Sequence, residues 1–402
     1  MRFLITCYKL DLSGSSTYTF TLASELKRKG HEVNVFSPFP EIIADELKKK
    51  EIRIYKTLEE MSNEKYTFII AQHNILALMI RSIKPEVPMV FISHGILPSL
   101  EQPPSININI QKYVAVSEEV KNNLILNHDI SSKSVDVIRN FVDVSRFFPQ
   151  RDISERPRVV LVISNRLSPE VYETIKEACE ELSLELIFIG RNRQVVNTED
   201  YINKADIIIS LGRGILEGMA CGRAAIVYDY QGADGMITPS TINEIRKHNF
   251  SGRRFKVNYD VRDLIREIRK YDKSMGEINR ELVLKDYDVS VASDRIINIC
   301  NQIQKNFYLK PINMILPTFN SSEISLTNNK IEEHRSRTVS IIIPVFNNLP
   351  YTTQCLQSLF ENKTKKSYQL IIVDNGSTDG TKEFLKCLSG SVKIISNREN
   401  LG

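Results

Sequence analysis

The 402-residue sequence predicts an α/β protein built on parallel sheets, and two features indicate this fold class. Short apolar runs of strand length, such as 207–209 (III), alternate with segments whose apolar residues recur at helical spacing. A strand, a glycine-containing loop and a helix follow one another at Gly14, and the same order recurs at Gly212. Because parallel strands need crossover helices, this alternation predicts doubly wound sheets, which bind ligands at the carboxyl ends of their strands.

Length and composition narrow the class of protein. A chain of 402 residues predicts two or three domains, and 42% hydrophobic with 25% charged residues is ordinary for a soluble globular protein. The net charge of +4 does not indicate a nucleic-acid partner, and it leaves weak peripheral association with a membrane open. Six cysteines without a CxxC pair indicate neither zinc nor disulfides. We expect a cytoplasmic protein, with the inner face of the membrane as the alternative location.

The stretch 205–235 holds the candidate binding site. Its apolar run is followed by a glycine-rich turn and then by a helical pattern, while GADG at 232–235 predicts a loop. Free backbone N–H groups and the positive end of a helix dipole favour a phosphate at such a turn. The candidate phosphate-binding residues lie in the turn and the start of the helix: Gly212, Arg213, Gly214, Ile215 and Leu216. Glu217, one turn further, can accept hydrogen bonds from a ribose diol. A tight βαβ turn without a ligand is the alternative.

At 217–222 the sequence reads EGMACG, which resembles the EAMACG signature of family 4 glycosyltransferases. Members of that family have the two-lobed GT-B fold. Their residue matching Glu217 binds the ribose of a nucleotide sugar. Many members carry a second glutamate eight residues earlier, where this chain has Ile209. The resemblance therefore implies a donor site in the second lobe that lacks one of the usual carboxylates.

The resemblance extends to the first lobe. The loop with Gly14 and Ser15 corresponds to the glycine loop that approaches the donor diphosphate in the family. His94 directly follows a predicted strand and matches a histidine that faces the donor sugar. A purely structural histidine and a plain glycine turn are the alternatives at these two places.

A third string, NRLSPE at 165–170, resembles the family segment whose arginine and lysine grip the donor diphosphate. Arg166 is present, but the lysine position holds Val171, and we expect Arg213 to compensate from the neighbouring loop. An exposed arginine without a ligand is the alternative for Arg166. The resemblance implies His94, Arg166 and Glu217 as the catalytic residues, in a reaction that needs no metal.

Near the end of the chain, VSIIIPVFNN at 339–348 and QLIIVDNGSTDGT at 369–381 resemble the opening of family 2 glycosyltransferases, which have the GT-A fold. In that family a carboxylate of the second string holds the nucleotide, so Asp374 and Asp379 are the candidates. Asp379 is alternatively a helix cap. The resemblance implies a GT-A domain that this sequence carries only in part, with a divalent metal expected only in a complete domain.

These features predict four regions. They are a Rossmann-like, acceptor-side domain at 1–145, a Rossmann-like nucleotide-sugar-binding domain with a return helix at 146–310, a linker at 311–337 and a partial GT-A segment at 338–402. The Asn- and Ser-rich linker predicts that the last segment folds independently of the first two domains.

The function implied by the resemblance is transfer of a hexosyl or deoxyhexosyl group from a nucleoside diphosphate sugar. The expected acceptor is a growing glycan of the cell-surface polysaccharide or O-antigen type, free or lipid-linked, with retention of configuration. Two alternatives stay open. One is a non-catalytic GT-B scaffold for a downstream GT-A transferase, and the other is a nucleotide-sugar epimerase of the same fold.

Overall fold

The computed structural model describes residues 1–105, 107–190, 195–306, 339–361, 368–386 and 392–400. These residues form three sheets, each with helices packed on it. The linker predicted at 311–337 lies outside the described residues.

The first sheet has seven parallel strands in the order β3-β2-β1-β4-β5-β6-β7. Its strands are β1 (Arg2–Thr6), β2 (Glu32–Phe36), β3 (Arg53–Tyr55), β4 (Phe68–Ala71), β5 (Met89–Ser93), β6 (Lys112–Ala115) and β7 (Val135–Val137). The helices are α1 (Gly14–Arg28), α2 (Ile42–Lys49), α3 (Asn74–Ile83) and α4 (Glu118–Asn127). The strand order reverses between β1 and β4, so the loops after these two strands border the crevice where such sheets bind ligands.

The second sheet has five strands in the order β12-β11-β10-β8-β9. Its strands are β8 (Val159–Ser164), β9 (Glu185–Gly190), β10 (Ile207–Ser210), β11 (Ala224–Asp229) and β12 (Gly232–Met236). The helices of this part of the chain are α5 (Pro169–Glu181), α6 (Thr198–Ile202), α7 (Arg213–Ala220), α8 (Ile242–Ile245), α9 (Val261–Ile268), α10 (Ser274–Asp286) and α11 (Val289–Asn306).

The expected loop at 232–235 is instead the edge strand β12, which pairs antiparallel with β11. Glycine and aspartate are rare in strands, so the sequence favoured a loop. A short reversal at 230–231 nevertheless folds the segment back, and its backbone pairs with β11.

Helix α11 returns from the second lobe to the first. Its apolar side joins the core beside α1, through Ala292, Ile296 and Cys300 among others. Lys29, the C-cap residue of α1, adds an ion pair to Asp294 at 2.5 Å. The two lobes are therefore joined both by the connection after β7 and by this helix.

The third sheet is parallel, in the order β13-β14-β15, with β13 (Val339–Val345), β14 (Tyr368–Asp374) and β15 (Val392–Ser396). Helices α12 (Leu349–Glu361) and α13 (Thr381–Lys386) pack against α3 of the first lobe. Leu356 and Phe384 lie in the same core cluster as Leu76 and Ile80 of α3.

This packing contradicts the expectation that the last segment folds independently. The physical reason lies in α3, whose sequence NILALMIRSI is apolar around most of its circumference. A helix of this kind must be covered on more than the face that meets its own sheet.

Candidate functional site

Contacts between the lobes bring the carboxyl edges of the first two sheets together. Asn165, after β8, donates a hydrogen bond from Nδ2 to the Leu12 carbonyl at 3.1 Å. Farther out, the Arg253 guanidinium forms a two-pronged ion pair with Glu119, with Nη2 to Oε2 at 2.6 Å. The loops after β1, β5, β8 and β10 therefore border one cleft.

The predicted glycine turn after β10 is shorter than expected, because α7 already begins at Arg213. Gly212 is the residue before the helix, with φ of 54° in the left-handed region. Gly214 must be glycine for a different reason, since a Cβ there would lie 2.3 Å from Ser210 Oγ. The first turn of α7 thus lies close against the end of β10, with its N-terminus directed at the first lobe.

Arg213 and Glu217 form a mostly buried ion pair within α7. Arg213 Nη2 lies 3.6 Å from Glu217 Oε1, and the side chains are 10% and 12% exposed. Burial lowers the pKa of Arg213 and raises the pKa of Glu217, and each charge opposes the shift of the other. Arg213 also donates to the Phe141 carbonyl at 2.8 Å and to Thr21 Oγ1 at 3.2 Å.

These contacts correct the expected position of Arg213. It does not project from a loop beside Val171 but ties α7 to the first lobe with both Nη atoms. Its buried Nε, like the buried hydroxyl of Tyr18, has no hydrogen-bond partner among the described residues. The Tyr18 and Arg213 side chains lie close enough to influence each other's pKa.

Several positions of the sequence-predicted site lie in the core. The side chains of Ile209, Ile215 and Leu216 are fully buried. Ile215 and Leu216 can meet a ligand only through the backbone, and the Leu216 N–H is already directed at the Gly212 carbonyl at 3.4 Å. Val171 packs at the margin of the core on the α5 side of the second sheet. The positions where the resemblance implies a carboxylate and a lysine thus hold the buried side chain of Ile209 and the partly buried side chain of Val171.

The first turn of α1 faces the cleft from the other lobe. The helix begins at Gly14 with Ser13 as its N-cap residue, so Gly14 and Ser15 belong to the helix and not to the loop expected from the sequence. Gly14 and Ser15 are therefore the first two helical residues, whose N–H groups have no partner within the helix. The Cα of Gly14 borders open space.

His94 follows β5 and lies between two side chains of the first lobe. Its Nε2 is 2.7 Å from Gln72 Oε1, and the ring packs edge-on against Tyr18, with centroids 4.6 Å apart. Burial lowers the pKa of His94 to about 3, with smaller contributions from His73 and Arg213. The imidazole is therefore neutral at physiological pH.

Glu101, in the loop after β5, was missed by the sequence reasoning. Burial raises the pKa of its carboxyl to about 7, and the positive charge of Arg166 partly opposes this shift. Arg166 lies on the second lobe with an exposed side chain, and its backbone N–H donates to Ser164 Oγ at 3.1 Å. No motif marks Glu101, since its proximity to Arg166 arises only when the lobes meet.

The two candidate carboxylates of the third sheet differ in their contacts. Asp379 uses both oxygens within the protein, accepting from the Leu349 N–H at 2.9 Å and from Thr381 Oγ1 at 2.6 Å. Asp374 accepts from the Ser377 N–H at 3.0 Å, whereas its buried Oδ2 has no partner among the described residues. Asp379 thus holds the starts of α12 and α13, whereas one oxygen of Asp374 is left without a protein partner in the described part of the chain.

Within the described residues, no cluster of three or more histidine, cysteine, aspartate or glutamate side chains could hold a metal ion. In the same part of the chain, no helix combines the length and the apolar character needed to cross a membrane.

Comparisons with known proteins bear on the fold of the two lobes. Anabaena HepE, solved with UDP and glucose, superimposes with a TM-score of 0.56 and 14% identity over 75% of this chain and 100% of that one. A glycosyltransferase from Rickettsia africae gives a TM-score of 0.51 and 16% identity over 76% and 99%. Glycosyltransferase AglE from Haloferax volcanii is 44% identical over 68 residues, 16% of this chain and 22% of that protein.

The two lobes define a GT-B glycosyltransferase fold, followed by a small parallel sheet that matches a GT-A segment. Residues 12–146 match the model of Glycosyltransferase Family 4, and residues 340–402 match that of Glycosyl transferase family 2. The chain covers only 12% to 22% of the length of three curated relatives.

Proposed function

We propose that the first two lobes bind a nucleoside diphosphate sugar in their cleft and transfer the sugar to a glycan acceptor. The observation that carries this proposal is that the starts of α1 and α7 border the same cleft. Arg213 at the start of α7 donates a hydrogen bond to Thr21 on α1, and Asn165 donates one to the carbonyl of Leu12, just before α1. Each helix start offers first-turn N–H groups and the positive end of a helix dipole, which favour a diphosphate. The exposed Arg166 adds a guanidinium at the same edge.

The remaining residues have complementary roles in this proposal. Glu217 accepts hydrogen bonds from the ribose diol, since its contact to Arg213 is long and leaves oxygen lone pairs available. His94, which is neutral, accepts a hydrogen bond from the transferred sugar. The N–H groups at Gly14, Ser15, Gly212 and Gly214 stabilise charge as it develops on the departing diphosphate. This chemistry requires no metal in the GT-B part.

The finer features of the activity belong to the same proposal. They are transfer with retention, a hexosyl or deoxyhexosyl group, and a free or lipid-linked acceptor destined for the cell surface. A cytoplasmic reaction fits the five described cysteines, none of which is paired. In the third sheet, Asp374 is the residue proposed to hold a second nucleotide, with a divalent metal only in a complete GT-A domain.

A second candidate function, a non-catalytic scaffold, is favoured by specific observations. Ile209 and Val171 stand where the family has charged residues, and Arg213 is engaged by protein acceptors. A scaffold would bind the nucleotide sugar without cleaving it. An assay of donor hydrolysis separates it from a transferase, and a product-epimer assay tests for an epimerase.

The direct test of the main proposal is calorimetry with UDP-glucose, UDP and uridine, chosen because HepE was solved with UDP and glucose. We expect binding of the two diphosphates and weaker binding of uridine. Glu217→Gln should lower UDP affinity by about 1.5–3 kcal/mol, the contribution of a charged hydrogen bond. The exposed Glu180→Gln on α5 is the matched control. Equal UDP affinity in wild type and Glu217→Gln would exclude Glu217 from the site.

A further inference from the structure

Gln72, directly after β4, is fully buried and joins the first turn of α1 to His94. Its Nε2 donates to the Thr6 carbonyl at 2.9 Å and to Thr19 Oγ1 at 2.6 Å. Thr19 Oγ1 in turn donates to the Ser15 carbonyl at 2.9 Å. Because a hydroxyl has a single hydrogen, Thr19 can only accept from Gln72. The contacts therefore fix which end of the Gln72 amide is nitrogen and which is oxygen.

This orientation also fixes the hydrogen on His94. Both N–H groups of the Gln72 amide are used by Thr6 and Thr19, so Oε1 faces His94 Nε2 at 2.7 Å. An amide oxygen only accepts hydrogen bonds, so His94 Nε2 must carry the hydrogen. In the neutral ring Nδ1 is then an acceptor. The edge-on packing of Tyr18 restricts the orientation of the ring.

We propose that Gln72 is a positioning residue that holds His94 in the Nε2–H tautomer, so that Nδ1 accepts a hydrogen bond from a hydroxyl of the donor sugar. This inference rests on the proposed function. It also predicts a donor specificity, because an acceptor at Nδ1 favours a sugar that bears a free hydroxyl within reach of His94. It also links two parts of the site, since the chain from Ser15 through Thr19 and Gln72 ends at His94.

The first test is ¹⁵N NMR of the histidine side chains in the full-length protein, with His94→Gln used to assign the His94 signals. We expect a protonated Nε2 and an unprotonated Nδ1 from pH 6 to 8. Gln72→Met keeps the size of the side chain and removes the acceptor, so Nε2 should lose its protected hydrogen and both tautomers should be populated. A wild-type Nδ1–H tautomer, or unchanged His94 signals in Gln72→Met, would overturn the proposal.

The second test compares binding of UDP-glucose with binding of UDP. A sugar-positioning role predicts that Gln72→Met lowers the affinity for UDP-glucose about fivefold, which is the effect of one neutral hydrogen bond. The affinity for UDP should not change. If Gln72 had a purely structural role, the substitution would lower the affinity for both ligands equally, and that result would contradict the inference. If wild type binds neither ligand, the proposed function fails for this donor, while the NMR measurement still decides the tautomer.

A second pair of variants guards against misfolding of Gln72→Met. Thr19→Val keeps the shape of the side chain and removes the acceptor of Gln72 Nε2. It should therefore loosen the amide and reproduce the effect on UDP-glucose in weaker form. Thr19→Ser keeps the hydroxyl and should behave as wild type. If Thr19→Val and Thr19→Ser are indistinguishable in the NMR and binding measurements, the amide is not held through Thr19 and the proposal fails.

Discussion

Arg213, at the start of a helix in the second lobe, donates a hydrogen bond to the carbonyl of Phe141 at 2.8 Å. Phe141 belongs to the core of the first lobe. The bond therefore crosses between lobes at the point where a diphosphate is proposed to bind. The same arginine also balances the charge of Glu217, so its removal has consequences for stability as well as for binding.

We expect Arg213→Met to destabilise the protein by about 3 kcal/mol, because it leaves the mostly buried Glu217 carboxylate without its partner. Adding Glu217→Gln to that variant should recover part of the lost free energy of unfolding, since the unpaired charge is then removed. Urea denaturation measures both changes. Arg166→Ala is the control. The Arg166 side chain is exposed, so its removal should lower the free energy of unfolding by less than about 0.5 kcal/mol. A loss of similar size at Arg166 and Arg213 would contradict the assigned contacts.

The position of Val171 gives a test of the diphosphate site. Val171→Lys places a cation in the first turn of α5, where the family resemblance implies a phosphate contact. We expect UDP to bind more tightly by about 1.5 kcal/mol, with uridine unaffected, because only the diphosphate carries charge. Val171→Met, of similar length without charge, should leave both affinities unchanged. Equal effects of the lysine on UDP and uridine would mean that it does not reach a phosphate.

Glu101 predicts a pH dependence of stability. Burial raises the pKa of its carboxyl from 4.5 to about 7, so the folded protein holds a proton that the unfolded chain has already released in this range. The free energy of unfolding should therefore fall as pH rises from about 4.5 to 7 and then stay level. We expect a difference of about 1–3 kcal/mol between wild type and Glu101→Gln to develop across this window.

Urea denaturation of both proteins at several pH values checks this prediction. The difference between the two proteins is the relevant quantity, since other groups such as His94 also titrate. A difference that does not change between pH 4.5 and 7 would show that Glu101 is not held in its neutral form.

The packing of α12 and α13 on α3 predicts that the last segment stabilises the first lobe. Shortening the chain to residues 1–306 should uncover apolar surface of α3, lower Tm by roughly 5 °C and speed amide hydrogen exchange in α3. A chain of residues 1–338, which keeps the linker, should behave like the shorter one. Unchanged Tm and exchange in both shortened chains would contradict the packing and restore the original expectation of independent folding.

The sequence predicted the local units well, because strand–loop–helix patterns depend on neighbouring residues. Ile207 to Tyr228 folds as the expected strand, helix and strand. The contacts between lobes were not predictable, since no local pattern records that Arg213 reaches Phe141 or that Glu101 approaches Arg166. One feature of the sequence does indicate the packing of the last segment on the first lobe, and that feature is the lack of a polar face on α3. No feature of the sequence indicates the edge strand β12, because its amino-acid composition is that of a loop.

The attachment of α12 and α13 to α3 has a mechanical consequence. Domain closure in a two-lobed protein is a rotation of one lobe relative to the other. Helix α3 belongs to the first lobe, so the third sheet, whose helices α12 and α13 pack on α3, must rotate with that lobe. Opening of the cleft then carries the third sheet away from the second lobe together with the first lobe. A fluorescence label on α12 would therefore report cleft opening as a change in distance to the second lobe and as no change to the first.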